Sequence, residues 1–216
     1  MSLESQQHKL IEHLRQHGIY DERVLQVMDA VPRWRFVPSE QLRAAADDRA
    51  LPIAAGQTIS QPFIVALMTQ ALRLTGHDHV LEIGTGSGYQ AAILARLSRD
   101  VVSIERIPEL SLTASQVLRQ LGITNVDCLI GDGSVGCPER APFDRIVVTA
   151  GAPKVPPQLC EQLTIGGRLV IPVGTVEPIS LQVITRTVDG LITEDLSPCS
   201  FVPLIGSAGW PEEVPE

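Results

Sequence analysis

Apolar residues along this chain follow three rhythms in succession. Residues 4–17 carry Leu10, Ile11 and Leu14 at helical spacing and predict a helix. A second, short helix is predicted over 21–30, stopped by Pro32. Residues 33–57 show no sustained period; Pro38, Pro52 and Gly56 punctuate them, which predicts loops and short strands. A helix over 63–74 follows, with Pro62 suited to its first turn and Gly76 just past its end.

From His79 to Val173 the pattern changes to short apolar runs separated by amphipathic stretches. HVLEI, VVSI, VDCLI, FDRIVVT and GGRLVIPV read as strands, and 91–97, 110–121 and 157–163 as helices. Continuous apolar runs between amphipathic helices belong to βαβ units, whose parallel sheet is covered on both faces. After Gly174, SLQVITRT and GLITEDL straddle Asp189-Gly190, a hairpin signal that predicts antiparallel pairing. The predicted fold is α/β and Rossmann-like: a doubly wound, mostly parallel sheet with an antiparallel C-terminal part and an N-terminal helical extension. One domain spans 1–216, with helices and loops over 1–60, a βα core over 61–174, and C-terminal strands and a tail over 175–216.

Composition narrows the function. Hydrophobic residues make up 44% and charged residues 19% of the 216, as in a globular chain. A formal net charge of -8, with no run of Lys or Arg, speaks against a nucleic-acid partner. The polar start and the lack of any stretch near ~20 apolar residues speak against a signal peptide and a membrane span. Cys128, Cys137, Cys160 and Cys199 include no CxxC pair and read as reduced thiols of a cytoplasmic protein. His13 and His17 stand i, i+4, but a solvated helix face is the simpler reading, and no metal is expected. Oligomeric state is left open.

The candidate chemistry sits in Val80-Leu-Glu-Ile-Gly-Thr-Gly-Ser-Gly-Tyr89, where a strand gives way to a helix. Glycines there allow a tight turn and close approach of backbone to a ligand. The spacing is G-x-G-x-G rather than the G-x-G-x-x-G of dinucleotide folds, and Glu82 precedes it. A carboxylate there repels a pyrophosphate and suits a ligand with an amino group and a sulfonium, such as S-adenosylmethionine. Glu82, Gly84, Thr85, Gly86, Ser87 and Gly88 are therefore candidate cofactor residues. Glu105 ends the second strand, 21 positions after Gly84, where it can accept from both ribose hydroxyls. Asp132, inside Gly131-Asp132-Gly133, ends the third strand, where it can accept from the adenine amino group. Singly, such acids cap helices or face water; at the ends of successive strands they suggest one site.

Gly56-Gln-Thr-Ile-Ser-Gln-Pro62 precedes the helix over 63–74, and its simplest reading is a cap, with Ser60 or Gln61 at the N-cap. Taken with Arg33-x-x-Phe36-Val37-Pro38, Leu51-Pro52-Ile53, the glycine motif, GDG, APFDRIVVTA, GGRLVIPVG and Phe201-Val-Pro-Leu204, however, it resembles the protein-L-isoaspartate O-methyltransferases over residues 5–205. The resemblance implies methyl transfer from S-adenosylmethionine to the α-carboxylate of L-isoaspartyl residues in damaged proteins, whose esters then close to a succinimide. It implies Ser60 as the active-site serine, Thr58 and Ile59 beside cofactor and substrate, Gly84, Gly86, Glu105 and Asp132 (with Gly133) on the cofactor, and Val202 and Leu204 against the peptide. The chain departs from the family pattern in the non-aromatic Gly133-Ser-Val-Gly-Cys-Pro138 and in the tail 205–216.

The chemistry agrees, because a carboxylate of pKa ~3.9 is already ionised and needs no general base. Two other readings stand beside this one: a class I methyltransferase with another acceptor (tRNA adenine or a small molecule), and a non-catalytic S-adenosylmethionine-binding module. Against the first, Thr149-Ala-Gly-Ala-Pro153 stands where amino-methylating DNA enzymes carry N/D-P-P-Y/F. An NAD-dependent oxidoreductase is disfavoured by the glycine spacing and Glu82.

Overall fold

The structure is a computed structural model that describes residues 2–212; residue 1 and residues 213–216, the outer ends of the predicted domain and tail, lie outside the described residues. The N-terminal part contains α1 (Leu3–Gln16), α2 (Glu22–Ala30), β1 (Leu51–Pro52), β2 (Thr58–Ile59) and α3 (Pro62–Leu72). The alternating core follows as β3 (His79–Ile83), α4 (Tyr89–Leu97), β4 (Asp100–Glu105), α5 (Pro108–Gln120), β5 (Val126–Ile130), β6 (Phe143–Val148), α6 (Pro157–Glu161) and β7 (Leu163–Val173). It ends with β8 (Ile179–Thr187) and β9 (Gly190–Cys199).

Seven strands form one sheet in the order β5-β4-β3-β6-β7-β8-β9. The pairs from β5 to β7 are parallel, and β8 and β9 add antiparallel pairs. The chain leaves β3 toward β4 and later returns to its other side as β6, so the order reverses at β3. The central strands β3, β4 and β6 are largely buried on both faces, which is why they read as unbroken apolar runs, whereas the edge strands β5 and β9 are partly or mostly exposed. Val80 packs with Leu14, Met28, Leu72 and Ile93 on one face; Leu81 and Ile83 pack with Phe143, Ile146, Leu159 and Leu169 on the other. The C-terminal hairpin turns one residue earlier than predicted: Thr187 pairs with Gly190, so Val188 and Asp189 make the turn.

The N-terminal helices carry their own caps. Ser2 accepts from Ser5 N on α1, and Asp21 accepts from Arg23 N on α2. Buried Gln7 donates its amide to the Met28 and Val31 carbonyls, answering the open C-terminal end of α2. Helix α3 stops at Leu72, because Arg73, rather than Gly76, takes the left-handed C-cap conformation. Gln61 stands at its N-cap position, as expected, but its side chain makes no capping bond; Asp48 accepts from Phe63 N at 2.8 Å and from Gln61 Nε2 at 3.0 Å.

Glu82 is the strongest departure from expectation. It lies in the middle of β3, between Ser103 of β4 and Val147 of β6, and is fully buried. One oxygen accepts from Ser103 Oγ, which also bonds Thr85 Oγ1, and the other has no hydrogen-bond partner. The side chain sits inside the sheet and cannot be the exposed carboxylate that greets a ligand's amino group. Burial pushes its pKa up to about 8, opposed by the Ser103 bond and reinforced by the charge of Glu105. Between about 4.5 and about 8 the unfolded chain ionises this carboxyl while the folded chain keeps its proton, so stability falls as pH rises through that window. Glu82→Gln keeps the shape without the proton. Its thermal midpoint should drop less than the wild type's between about pH 5 and about pH 8, the gap being ~2–4 °C per kcal/mol for a chain of this size. Parallel midpoints across that range in a thermal-melt series would rule Glu82 out as the titrating group.

Candidate active site

At the end of β3 the backbone makes a loop that only glycine fits comfortably. Gly84, Gly86 and Gly88 have φ of +94°, +52° and +87°, the left-handed region. At Gly84 a Cβ would lie 2.4 Å from Thr149 Oγ1. At Gly88 it would lie 3.0 Å from the Ala114 Cβ, so Gly88 brings α4 against α5 and is not on the wall of the cavity. Gly86 differs: a Cβ there would make only ordinary contact, with Ile53 Cδ1 at 3.9 Å, so its left-handed φ rather than crowding calls for glycine. Gly86 also lines the cavity, so bare backbone forms the wall there.

Glu105 holds this loop. One carboxylate oxygen accepts from Gly86 N at 2.9 Å and the other from Ile107 N at 3.0 Å. About two of its roughly four acceptor sites remain for a ligand. The cavity above is walled by Gly84–Ser87 after β3, Glu105 and Ile107 after β4, Gly133 after β5 and Thr149 after β6. It therefore opens at the carboxyl ends of the strands, at the point where the strand order reverses, as ligand crevices in such sheets do.

Two distant segments close the cavity. One is Gln57–Ser60 and the other Val202–Ile205, which is tied down by backbone bonds between Gly151 and both Val202 and Leu204, each 2.8 Å. A second cleft runs on from the first, lined among others by Asp48, Arg49, Ile64, Ser200 and Phe201. Thr58, Ser60, Thr149 and Val202 line both. A group passing from one to the other must pass these four residues.

Ser60 is held there by a buried cation. Arg33 is 1% exposed and donates to the carbonyls of Ala45 (2.7 Å), Arg49 (3.0 Å) and Ser60 (3.1 Å). Burial lowers its pKa, with nearby Asp48 and Asp47 acting the other way. Thr149 was not expected in the site; its hydroxyl contacts the carbonyls of Ile83 and Gly84 at 3.0 and 2.6 Å and so fastens the first glycine. Its place after the fourth strand was the available signal, since the same strand-end rule had found Glu105.

The structure places Asp132 differently from expectation. Its carboxylate is off the cavity wall and already has four donors: Ser134 N and Oγ on one oxygen, Ser207 N and Oγ on the other. Burial acts to raise its pKa, but those hydrogen bonds prevail and keep it below the ordinary value. Of the sequence-derived candidates, Thr58, Ile59, Ser60, Gly84, Thr85, Gly86, Ser87, Glu105, Gly133, Val202 and Leu204 meet on one cavity; Glu82, Gly88 and Asp132 do not. Among the described residues no group of three His, Cys, Asp or Glu could hold a metal ion.

Known proteins share this arrangement. The family model described as protein-L-isoaspartate(D-aspartate) O-methyltransferase matches residues 5–209. A protein-L-isoaspartate O-methyltransferase of Methanoculleus marisnigri is 51% identical over 201 residues, 93% of this chain and 91% of that one. One from Trichlorobacter lovleyi is 54% identical over 200 residues, 92% of each. A solved protein-L-isoaspartate O-methyltransferase superposes with a TM-score of 0.85 at 30% identity, over 94% of this chain and 67% of the other. A Plasmodium falciparum structure described with the same activity, in complex with S-adenosyl-L-homocysteine, gives 0.81 at 26% identity, over 92% and 98%. The match takes in the glycine loop, the Gln57–Ser60 segment and the closing Val202–Ile205 strap together, and the chain belongs to the protein-L-isoaspartate O-methyltransferase family.

Proposed function

We propose that the chain methylates the α-carboxylate of L-isoaspartyl residues in damaged proteins, taking the methyl group from S-adenosylmethionine. The observation that carries this reading is the junction of two cavities at Thr58, Ser60, Thr149 and Val202, in a chain of this family. The cofactor supplies a methyl on a sulfonium, which leaves as a neutral thioether. The bare backbone that Gly86 gives the cavity wall and the free acceptor sites of Glu105 would fit its amino-acid chain and its ribose hydroxyls.

On the acceptor side no residue needs to remove a proton, because the substrate carboxylate is ionised at neutral pH. What the chain supplies is position. The Ser60 hydroxyl would donate to one oxygen of the substrate carboxylate and leave the other free to accept the methyl group that the cofactor would supply. Thr58 and Ile59 hold the space between donor and acceptor, and Val202 and Leu204 form the wall against the peptide. The ester then closes to a succinimide without the enzyme. Four free cysteines suit a reducing compartment such as the cytoplasm; among the described residues no helix is long and apolar enough to cross a membrane.

The direct test is a synthetic isoaspartyl peptide beside its normal aspartyl twin, with labelled cofactor. Methyl should pass to the first and hardly at all to the second; equal labelling, or labelling of tRNA alone, would overturn the assignment. Ser60→Ala should slow single-turnover transfer about ten- to a hundredfold, the worth of one charge-assisted hydrogen bond of ~1.5–3 kcal/mol. Because Asp48 caps α3, the same substitution should leave the thermal midpoint nearly unchanged; a less stable but fully active variant would remove Ser60 from the chemistry. Glu105→Ala should weaken cofactor binding by about ten- to a hundredfold in calorimetry, and unaltered affinity would refute its ribose role.

A further inference from the structure

We propose that Ser207 competes with the adenine amino group for the Asp132 carboxylate, so that residues 205–210 act as a latch on the base end of the cofactor site. The inference rests on the cofactor reading above. Along the strand ends, the methyl junction lies at Ser60 and Thr149, after β6, and the ribose acid Glu105 after β4. Continuing in that direction, the base falls over the end of β5, where Gly133 and Ile205 share the cavity wall. Asp132 is the acid at that end, yet both of its oxygens are filled. A carboxylate has about four acceptor sites, and two serines occupy them with a backbone N–H and a hydroxyl each.

The two serines are not equivalent. Ser134 is buried and belongs to the turn that Asp132 itself caps. Ser207 is exposed and belongs to a loop whose tip is also tied to Ser134, through Ala208 N at 2.9 Å, and whose base is anchored elsewhere. Trp210 N donates to Leu204 O at 2.7 Å, Gly206 N to Trp210 O at 3.0 Å, and Trp210 Nε1 to Gly151 O at 3.1 Å. Those bonds keep the base of the loop in place whether or not its tip touches Asp132. The contact is close enough to demand glycine: a Cβ on Gly206 would lie 2.1 Å from Asp132 Oδ1 and 2.5 Å from Ser134 Oγ.

An amino donor from the base can thus take the Oδ2 sites only when Ser207 releases them, and Ser207 can retake them as the spent cofactor leaves. Ser207 is a positioning residue that acts through Asp132. It sets cofactor affinity and discrimination of the base without touching the methyl group.

The test uses the full chain, two variants and two ligands. Ser207→Ala removes the hydroxyl donor, and Gly206→Ala drives the tip off the carboxylate. S-adenosyl-L-homocysteine carries the adenine amino group; S-inosyl-L-homocysteine carries a carbonyl oxygen in its place. Both variants should bind the adenosyl ligand about three- to tenfold more tightly in calorimetry and leave affinity for the inosyl ligand unchanged. Unchanged or weaker adenosyl binding in folded variants, or equal gains for both ligands, overturns the latch alone. Failure of the wild type to bind the adenosyl ligand overturns the cofactor reading and the latch with it.

Discussion

A guanidinium buried without a carboxylate against it imposes its will on the chain around it. Arg33 keeps its charge inside the protein only because the backbone turns carbonyl oxygens inward from Ala45, Arg49 and Ser60. Leaving a buried cation unanswered is costly, so none of these carbonyls can drift without a penalty. This explains how a stretch built only of short 3₁₀ turns and two-residue strands, from residue 33 to residue 60, holds the Gln57–Ser60 wall of the cavity in register. Asp48, in the same loop, caps α3 and fixes the other side of that segment.

Glu105 does the complementary work on the donor side, with the signs reversed. An anion gathers backbone N–H groups from Gly86 and Ile107, and the glycine loop takes its shape around the carboxylate. The two halves of the site are therefore each organised by one charge that recruits backbone rather than a counter-ion. Such a site keeps its partners whether or not a ligand is present, because the tie is to the chain itself. Glu82 behaves differently although it stands only two residues before Gly84: buried with a single donor, it favours the neutral acid.

Strand β3 was legible because burial on both faces leaves an unbroken apolar run, and it falls on the residues that the pattern marks; the edge strand β5 does so too, although it is only partly buried. The same burial hid the fate of Glu82, since a strand covered on both sides gives no alternation to say which face a residue takes. The turn after β8 slipped by one because Gly190, with φ of +132°, opens β9 instead of closing the turn. Contacts between segments far apart were the least legible. The Asp48 cap of α3 and the Ser207 bonds to Asp132 depend on loops whose paths no local pattern specifies. The glycine motif and TISQP were readable because their function needs particular residues at adjacent positions.

The strap Val202–Ile205 has a temporal consequence as well as a spatial one. It closes walls begun by Gln57–Ser60, at the opposite side of the chain's order of synthesis. A ribosome-bound chain can bury β3, β4 and α3 long before the strap emerges, and a cavity so formed lacks the wall that Val202–Ile205 supplies. Parallel strands already make long closures that slow folding, and this last seam adds one of the longest. Competence therefore arrives late, as a property of the finished tertiary structure, and a nascent chain carries the donor loop for some time before it has anywhere to deliver a methyl group.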